Sequence, residues 1–359
     1  MDNEFEARRR SVSSGLAERR LDSLLVSFGP NLRYLSGFTG SNGLLLVLPG
    51  RAILFTDPRY QIQARGETTC QVRIAKGPLL AAVLSAIARL RLRRIGYEPA
   101  RTTCDSLELL KSKLPMNASL EGVTGWIEQL RMVKSPGEIE RVRRSVETNS
   151  RAFEQAVSRV RPGMKERELA AELEYRMRRL GAEKPSFETI VAGGVRSALP
   201  HAQPTARSLQ AGDLVVVDMG AMEDGYASDM TRMLFLGSPG AKVKRTYGAV
   251  LEAQLAAIDA VRAGASTKSV DRAARDVLKG YGLDRAFIHS TGHGLGLEIH
   301  EPPRIGKRDK SRLAAGMTVT IEPGVYLEDF GGIRIEDTVA VTANGCQILT
   351  PTAKDLRVI

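Results

Sequence analysis

The chain is poor in the residues that build disulfide frameworks, thiolate metal sites and membrane spans. Its 359 residues include only three cysteines. Cys70, Cys104 and Cys346 are odd in number and far apart, which excludes a disulfide scaffold and fits reduced thiols. Apolar runs such as Leu44 to Leu48 are far too short to cross a bilayer, and the opening MDNEFEARRR lacks the apolar core of a secretory leader. The reading is a soluble cytoplasmic protein with no membrane partner. Aromatic residues make up 5% of the chain and do not interleave with the basic pieces Arg8–Arg10, Arg19–Arg20 and Arg89–Arg94. The 52 Lys plus Arg against 41 Asp plus Glu leave a net charge of +11. Dispersed in this way, the excess reads as solvated helix faces, and nucleic acid is not an expected partner. There are no heptads and no internal repeats. With 43% hydrophobic residues, disorder is excluded and the length suits two domains with substantial cores.

Residues 5–20 read as a helix leading into an apolar strand at Ser23–Phe28. Asn31–Gly43 is rich in turn formers and reads as a loop before strands at Leu44–Leu48 and Ala52–Thr56, joined by a hairpin at Pro49-Gly50. Strands at Cys70–Ala75 and Arg94–Glu98 flank an apolar helix at Leu79–Leu90. This is an α/β domain that ends near Trp126. Ser135-Pro-Gly-Glu138 has the spacing of a capping box with proline at the first helical position, so a long helix is predicted from there to about Val160. A second helix from Lys165 to Leu180 puts Leu169, Leu173, Met177 and Leu180 on one core face before Gly181 closes it.

Histidine is also scarce, with four in all, and three of them fall within His289–Glu301, HSTGHGLGLEIHE. Glycines there let backbone approach a ligand, and imidazole serves metal ligation and proton traffic near neutral pH. The carboxylates that matter sit in apolar strands nearby in sequence. Leu214–Val217 runs into Asp218, and a turn at Glu223-Asp-Gly225 returns the chain through Asp229, so a hairpin sets the two acids opposite or nearly diagonal on one face. Glu322 follows Val319-Thr-Ile, and Glu336 lies in Gly332-Ile-Arg-Ile-Glu-Asp-Thr-Val, where Arg334, Glu336 and Thr338 alternate onto one face. One acid in a strand usually faces solvent or pairs with arginine. With four in apolar strands, brought together without cations, several would be forced to protonate. Two dications (+4) against four carboxylates (−4), with neutral His293 and a hydroxide, give a nearly balanced cluster. Oxygen donors with one imidazole suit Mn, Co, Fe or Zn, and the absence of thiolates argues against a structural zinc site.

The ordered set Asp218, Asp229, His293, Glu322 and Glu336, in the contexts VVVDMG, SDMTR, STGHGLGLEIHE, IEPGVY and RIEDT, resembles the Xaa-Pro aminopeptidase and prolidase family of dinuclear metallopeptidases. LRMVKSPGEIERVR, NLRYLSGFTGSNG and TDPRY extend the resemblance over nearly the whole chain. It implies an α/β (α+β) protein: a creatinase-like α/β domain at 1–130 followed by a pita-bread metallopeptidase domain at 131–359. It implies two divalent ions, Mn2+ foremost with Co2+, Zn2+ or Fe2+ as alternatives, bridged by Asp229 and Glu336 and completed by Asp218, His293 and Glu322. Glu322 is then the proton acceptor, while His201 and His300 are catalytic histidines beside the scissile amide and the developing oxyanion. His289 lines the proline pocket; Tyr326 and Arg334 match further substrate-side positions. The substrate implied is a proline-containing peptide and the assembly a homodimer. GFTGSNG resembles the compact bacterial aminopeptidases P, which makes release of the residue before proline the first expectation and X-Pro dipeptidase activity (prolidase) the alternative. A non-catalytic pita-bread binding protein is the remote one. The segment LEDFGG before Ile333 falls where relatives vary.

Overall fold

The computed structural model describes residues 4–359, in two compact units, the first ending at Arg131 and the second spanning Met132–Ile359. The first unit is built on six strands: Ser23–Val26 (β1), Gly43–Leu48 (β2), Arg51–Thr56 (β3), Gln71–Ile74 (β4), Arg94–Tyr97 (β5) and Ser119–Gly122 (β6). Their order across the sheet is β4-β3-β2-β1-β5-β6. The hairpin at Pro49-Gly50 joins β2 to β3 with Leu48 opposite Arg51, and Gly50 takes the positive φ of 70° the turn needs. Leu46, Leu48, Ile53 and Phe55 pack on Val83, Leu84 and Ile87 of the helix Leu79–Leu90.

One expectation fails in this unit. Asn31–Gly43 is not all loop, because Gly29–Ser36 forms a helix. Pro30 stands in its first turn, Leu32 and Leu35 are buried three positions apart on one face, and Gly37 closes it at φ 77°, its N–H bonded to the Arg33 carbonyl. Two turns of helix capped by Pro and Gly look like a loop by composition.

In the second unit the Ser135 capping box is present: Ser135 Oγ accepts from Glu138 N at 3.2 Å and Glu138 Oε2 from Ser135 N at 2.9 Å. The helix it starts runs Pro136–Val157, and a second spans Glu166–Leu180 with Leu169, Leu173 and Met177 buried. The strand Leu214–Met219 is buried along its whole length. Val215 and Val217 face Leu169, Leu173 and Met177, while Leu214 and Val216 face Tyr247, Val250 and Ala253 of the helix Ala241–Asp259. Helices on both faces explain the unbroken apolar run LVVV. That strand lies between Ile190–Gly193 and Met230–Phe235 in a four-stranded sheet whose far edge is Arg357–Val358. A five-stranded sheet has the order Glu301–Ile305, Gly292–Gly294, Thr318–Ile321, Asp337–Val341, Cys346–Ile348, and Gly324–Leu327 with Gly331–Arg334 forms a separate hairpin. Among the described residues no helix is long and apolar enough to cross a membrane.

Candidate metal centre and substrate cleft

The hairpin that carries Asp218 and Asp229 is two ladders, not one. Met230 pairs with Met219 and Thr231 with Asp218, so Asp229 stands diagonal to Asp218 just before its strand. Beyond that point the chain breaks into a second ladder, Ala221–Glu223 with Tyr226–Ala227, closed by Asp224 (φ 48°) and Gly225 (φ 73°). The break falls at Gly220, where a Cβ would lie 2.1 Å from both Ser186 Oγ and the Ser228 carbonyl oxygen.

His293 sits in a strand only glycine permits. A Cβ at Gly292 would lie 1.9 Å from the Thr320 carbonyl oxygen, and one at Gly294 2.4 Å from that of Pro302. The segment is therefore pressed between its two neighbours, and the imidazole is delivered to the acids. His293 Nε2 is 3.5 Å from Asp229 Oδ2 and 3.5 Å from Glu322 Oε1. One ligating atom each of Asp229, His293 and Glu336 lie within 4.8 Å of one another. Glu322 follows the strand Thr318–Ile321. Glu336 falls in the gap between Gly331–Arg334 and Asp337–Val341, so the single strand expected from Gly332 to Val339 is interrupted beside the acid.

Three buried carboxyl groups, Asp218, Asp229 and Glu336, and the partly buried Glu322 converge here beside the buried guanidinium of Arg334. Arg334 Nη2 donates to Asp218 Oδ2 at 2.6 Å, Nη1 to the Tyr326 hydroxyl at 2.7 Å and Nε to Thr231 Oγ1 at 3.0 Å. Burial opposes the Arg334 charge, but Tyr326, Asp218, Glu322 and Glu336 hold its pKa well above the ordinary value. Asp229 is raised well above the usual carboxylate range by burial and then by Asp218 and Glu322. Glu336 is raised likewise, by burial and then by Asp229, Glu322 and Asp218. Burial also raises Glu322, against the pull of His293 and Arg334.

This donor set fits divalent cations. Asp218 Oδ1 and Glu336 Oε1 are buried with no hydrogen-bond partner among the described residues. His293 Nδ1 lies 3.0 Å from the Gly294 carbonyl oxygen, so in the neutral ring Nδ1 carries the hydrogen and Nε2 presents a lone pair to two carboxylates. Acceptors facing acceptors across about 3.5 Å are complete only with a cation or protons between them. Four carboxylates and one imidazole suit a hard or borderline dication.

Above the acids opens a cleft of ≈ 760 Å³ whose lining includes Asp218, Asp229, Glu322, Arg334, Glu336 and all four histidines. His201 is exposed at its wall. The His300 ring stands edge-on to His293 with centroids 4.4 Å apart, and burial followed by His293 and His201 lowers its pKa to about 4. His289 Nδ1 faces the Ser290 carbonyl at 2.8 Å, so the Tyr326 hydroxyl at 2.8 Å donates to Nε2. Burial, then Arg334, lowers His289 to about 4. Tyr326 does not line the cleft; it stands behind His289 and Arg334 and joins them.

Several further residues of the site carry little signal in the sequence. Thr231 Oγ1 donates to Glu336 Oε2 at 2.7 Å while accepting from Arg334, and its place two residues after Asp229, on the same face of the strand, is the sequence signal for it. Thr320 Oγ1 accepts from His293 N at 3.1 Å. Arg304, exposed on the alternating strand Glu301–Ile305, lines the cleft and donates from Nε to Ser290 Oγ at 2.5 Å.

A buried oxygen-rich donor set at the foot of an open cleft defines a metal-dependent hydrolase. Metallopeptidase family M24 matches residues 140–343, and the Creatinase/Prolidase N-terminal domain matches residues 8–133. Among similar proteins is an Xaa-Pro dipeptidase of Pyrococcus horikoshii, 37% identical over 97% of this chain and 97% of that one. Two solved structures resemble the whole chain. An Xaa-Pro dipeptidase from Bacillus anthracis has a TM-score of 0.95 at 37% identity, covering 99% of each chain. An X-Pro aminopeptidase from Thermotoga maritima has 0.91 at 38%, covering 96% of this chain and 99% of that one. The chain belongs to metallopeptidase family M24, as a metallo-exopeptidase whose pita-bread domain follows a creatinase-type N-terminal domain along the sequence.

Proposed function

We propose that the protein is an Xaa-Pro dipeptidase, a prolidase, whose five metal-holding residues are Asp218, Asp229, His293, Glu322 and Glu336. The observation that carries the reading is the convergence of these five at the foot of a cleft that also presents three further histidines and Arg304. The order of the two activities is the reverse of that suggested by GFTGSNG. Similarity over 97% of the chain to an Xaa-Pro dipeptidase favours the dipeptide, and so does a cation in the cleft, since a dipeptide presents its proline carboxylate next to the bond that is cut. The Thermotoga maritima relative keeps aminopeptidase P as the second reading.

When bound, the divalent ions lower the pKa of water and polarise the scissile carbonyl; Mn2+, Co2+, Fe2+ and Zn2+ all suit the donors. The rest is the work of side chains. Glu322, whose carboxyl burial raises, takes the proton from the attacking water and passes it to the departing proline nitrogen. His201 and His300, at the cleft wall, donate to the carbonyl oxygen as it gains charge. His289, fixed by Ser290 and Tyr326 and edge-on to Phe287 at 5.1 Å, offers a ring face to proline. Arg334 holds Asp218 in place. An X-Pro amide lacks an N–H and has a fixed ring, so a rigid cleft that grips ring and carboxylate suits it better than strand-like binding. The homodimer implied by the family is part of this reading, and light scattering of the purified protein tests it.

The deciding experiment gives the Mn2+-loaded protein Ala-Pro and Ala-Pro-Ala side by side. Cleavage of Ala-Pro with little of the tripeptide is expected. Preference for the tripeptide moves the reading to aminopeptidase P, and cleavage of neither removes the X-Pro peptidase.

A further inference from the structure

Glu336 has an unusual backbone position. It lies between two strands, and among the described residues no backbone N–H donates to its carbonyl. That carbonyl instead accepts from Arg232 Nη1 at 2.5 Å, while Glu336 N donates to the Thr231 carbonyl at 3.3 Å. Arg232 is 2% exposed, and its guanidinium spends every N–H. Nε donates to the Ala353 carbonyl at 2.9 Å and Nη1 also to that of Thr231 at 3.0 Å. Nη2 donates to Asp337 Oδ1 at 2.7 Å and to the Thr352 carbonyl at 2.7 Å. Asp337, wholly buried, is held on its other oxygen by Gln254 Nε2 at 2.9 Å and Lys354 Nζ at 2.6 Å.

The strand that begins after Asp229 is thus bolted to the backbone of Glu336 and to the segment Thr352–Lys354. A buried ion pair is weak evidence for stability, since desolvation consumes most of its Coulomb energy. Its distinctive product here is geometry: a planar fork with five directed donors fixes where Glu336 leaves the chain. We propose that the Arg232–Asp337 pair, anchored by Lys354 and Gln254, is a positioning device that sets the spacing of Glu336 from Asp229. The Thr352–Lys354 segment is then a structural part of the metal centre.

The inference rests on Glu336 being a metal-holding carboxylate, and the test separates the two. Mn2+ binding is measured by calorimetry on metal-stripped wild type, Arg232→Lys, Asp337→Asn and, as a control, Arg207→Lys, which disturbs the partly buried Arg207–Asp213 pair elsewhere in the same unit. Lysine cannot reach five acceptors from one nitrogen. Asparagine must turn its NH2 towards either Arg232 or Lys354, both donors. Loss of Mn2+ affinity by about 10- to 100-fold is expected in the first two, with secondary structure intact by circular dichroism and affinity unchanged in the control. Unchanged affinity in a folded Arg232→Lys overturns the proposal. If that variant does not fold, Asp337→Asn decides alone, and wild-type affinity there overturns it. Equal loss in the control also overturns it, since destabilisation would then be the cause. A wild type that binds no Mn2+ removes the ligand reading and this one together.

Discussion

Arg334 Nη2 lies 2.6 Å from Asp218 Oδ2, while the other oxygen of Asp218 is buried with no hydrogen-bond partner among the described residues. One guanidinium therefore satisfies half of one carboxylate and faces a cluster of three more acids. In metal-stripped protein Arg334→Met should be strongly destabilising, because removing one member of a buried pair costs about 3–5 kcal/mol. Excess Mn2+ should recover much of that loss, since dications answer the same negative charge. Melting curves with and without Mn2+ decide it. An equal fall in both conditions would mean that Arg334 does not act by charge.

Glu336→Gln follows from the raised carboxyl of Glu336. A carboxyl whose folded pKa lies above its unfolded value binds more protons in the fold, so its contribution to stability falls as pH rises above the unfolded value of about 4.3. In metal-stripped protein the neutral amide escapes that penalty. The variant should melt above wild type at pH 7 and lose its advantage as pH falls towards about 4. Each kcal/mol should appear as about 2–4 °C for a unit of this size. With Mn2+ present the order should reverse. A metal-free Glu336→Gln that melts lower at pH 7 and level at pH 4 contradicts the sign.

How far the sequence reveals this site depends on the range of the interactions. The diagonal of Asp218 and Asp229 is legible because a hairpin is local: a strand, a turn at Asp224-Gly225 and a return strand fix the register. The helix at Gly29–Ser36 is hidden because it is short and bounded by residues that also make turns. The alternation of Arg334, Glu336 and Thr338 suggests one face of one strand, yet the strand breaks. Thr338 Oγ1 bonds the Asp229 carbonyl at 3.0 Å, whereas Arg334 reaches Asp218 from a different sheet. Arg232 and Asp337 are 105 residues apart, and no local periodicity joins them.

Among the described residues, His293 is the histidine that points Nε2 at two carboxylates. His293→Ala should therefore lower metal content, read by elemental analysis of the purified variant. His300→Ala should retain metal and lose turnover, by about 10²–10⁴-fold if the ring serves as donor or proton carrier. Equal metal loss in both would show that His300 belongs to the metal shell.

Arg304 offers the sharpest separation between the two proline-directed activities. Its side chain is exposed in the cleft, steadied by Ser290 and free to meet a carboxylate. In Ala-Pro the carboxylate sits on the proline itself; in Ala-Pro-Ala that position is an amide, and the free carboxylate lies one residue further out. A charge-assisted hydrogen bond contributes about 1.5–3 kcal/mol, which is roughly 10- to 150-fold in binding. Arg304→Ala should raise KM for Ala-Pro by about that factor and change KM for Ala-Pro-Ala much less. Because the contact is made equally by bound substrate and transition state, kcat for Ala-Pro should stay near wild type. A parallel rise for both peptides would assign Arg304 to the general charge of the cleft, and a fall in kcat with KM unchanged would place it at the reacting bond.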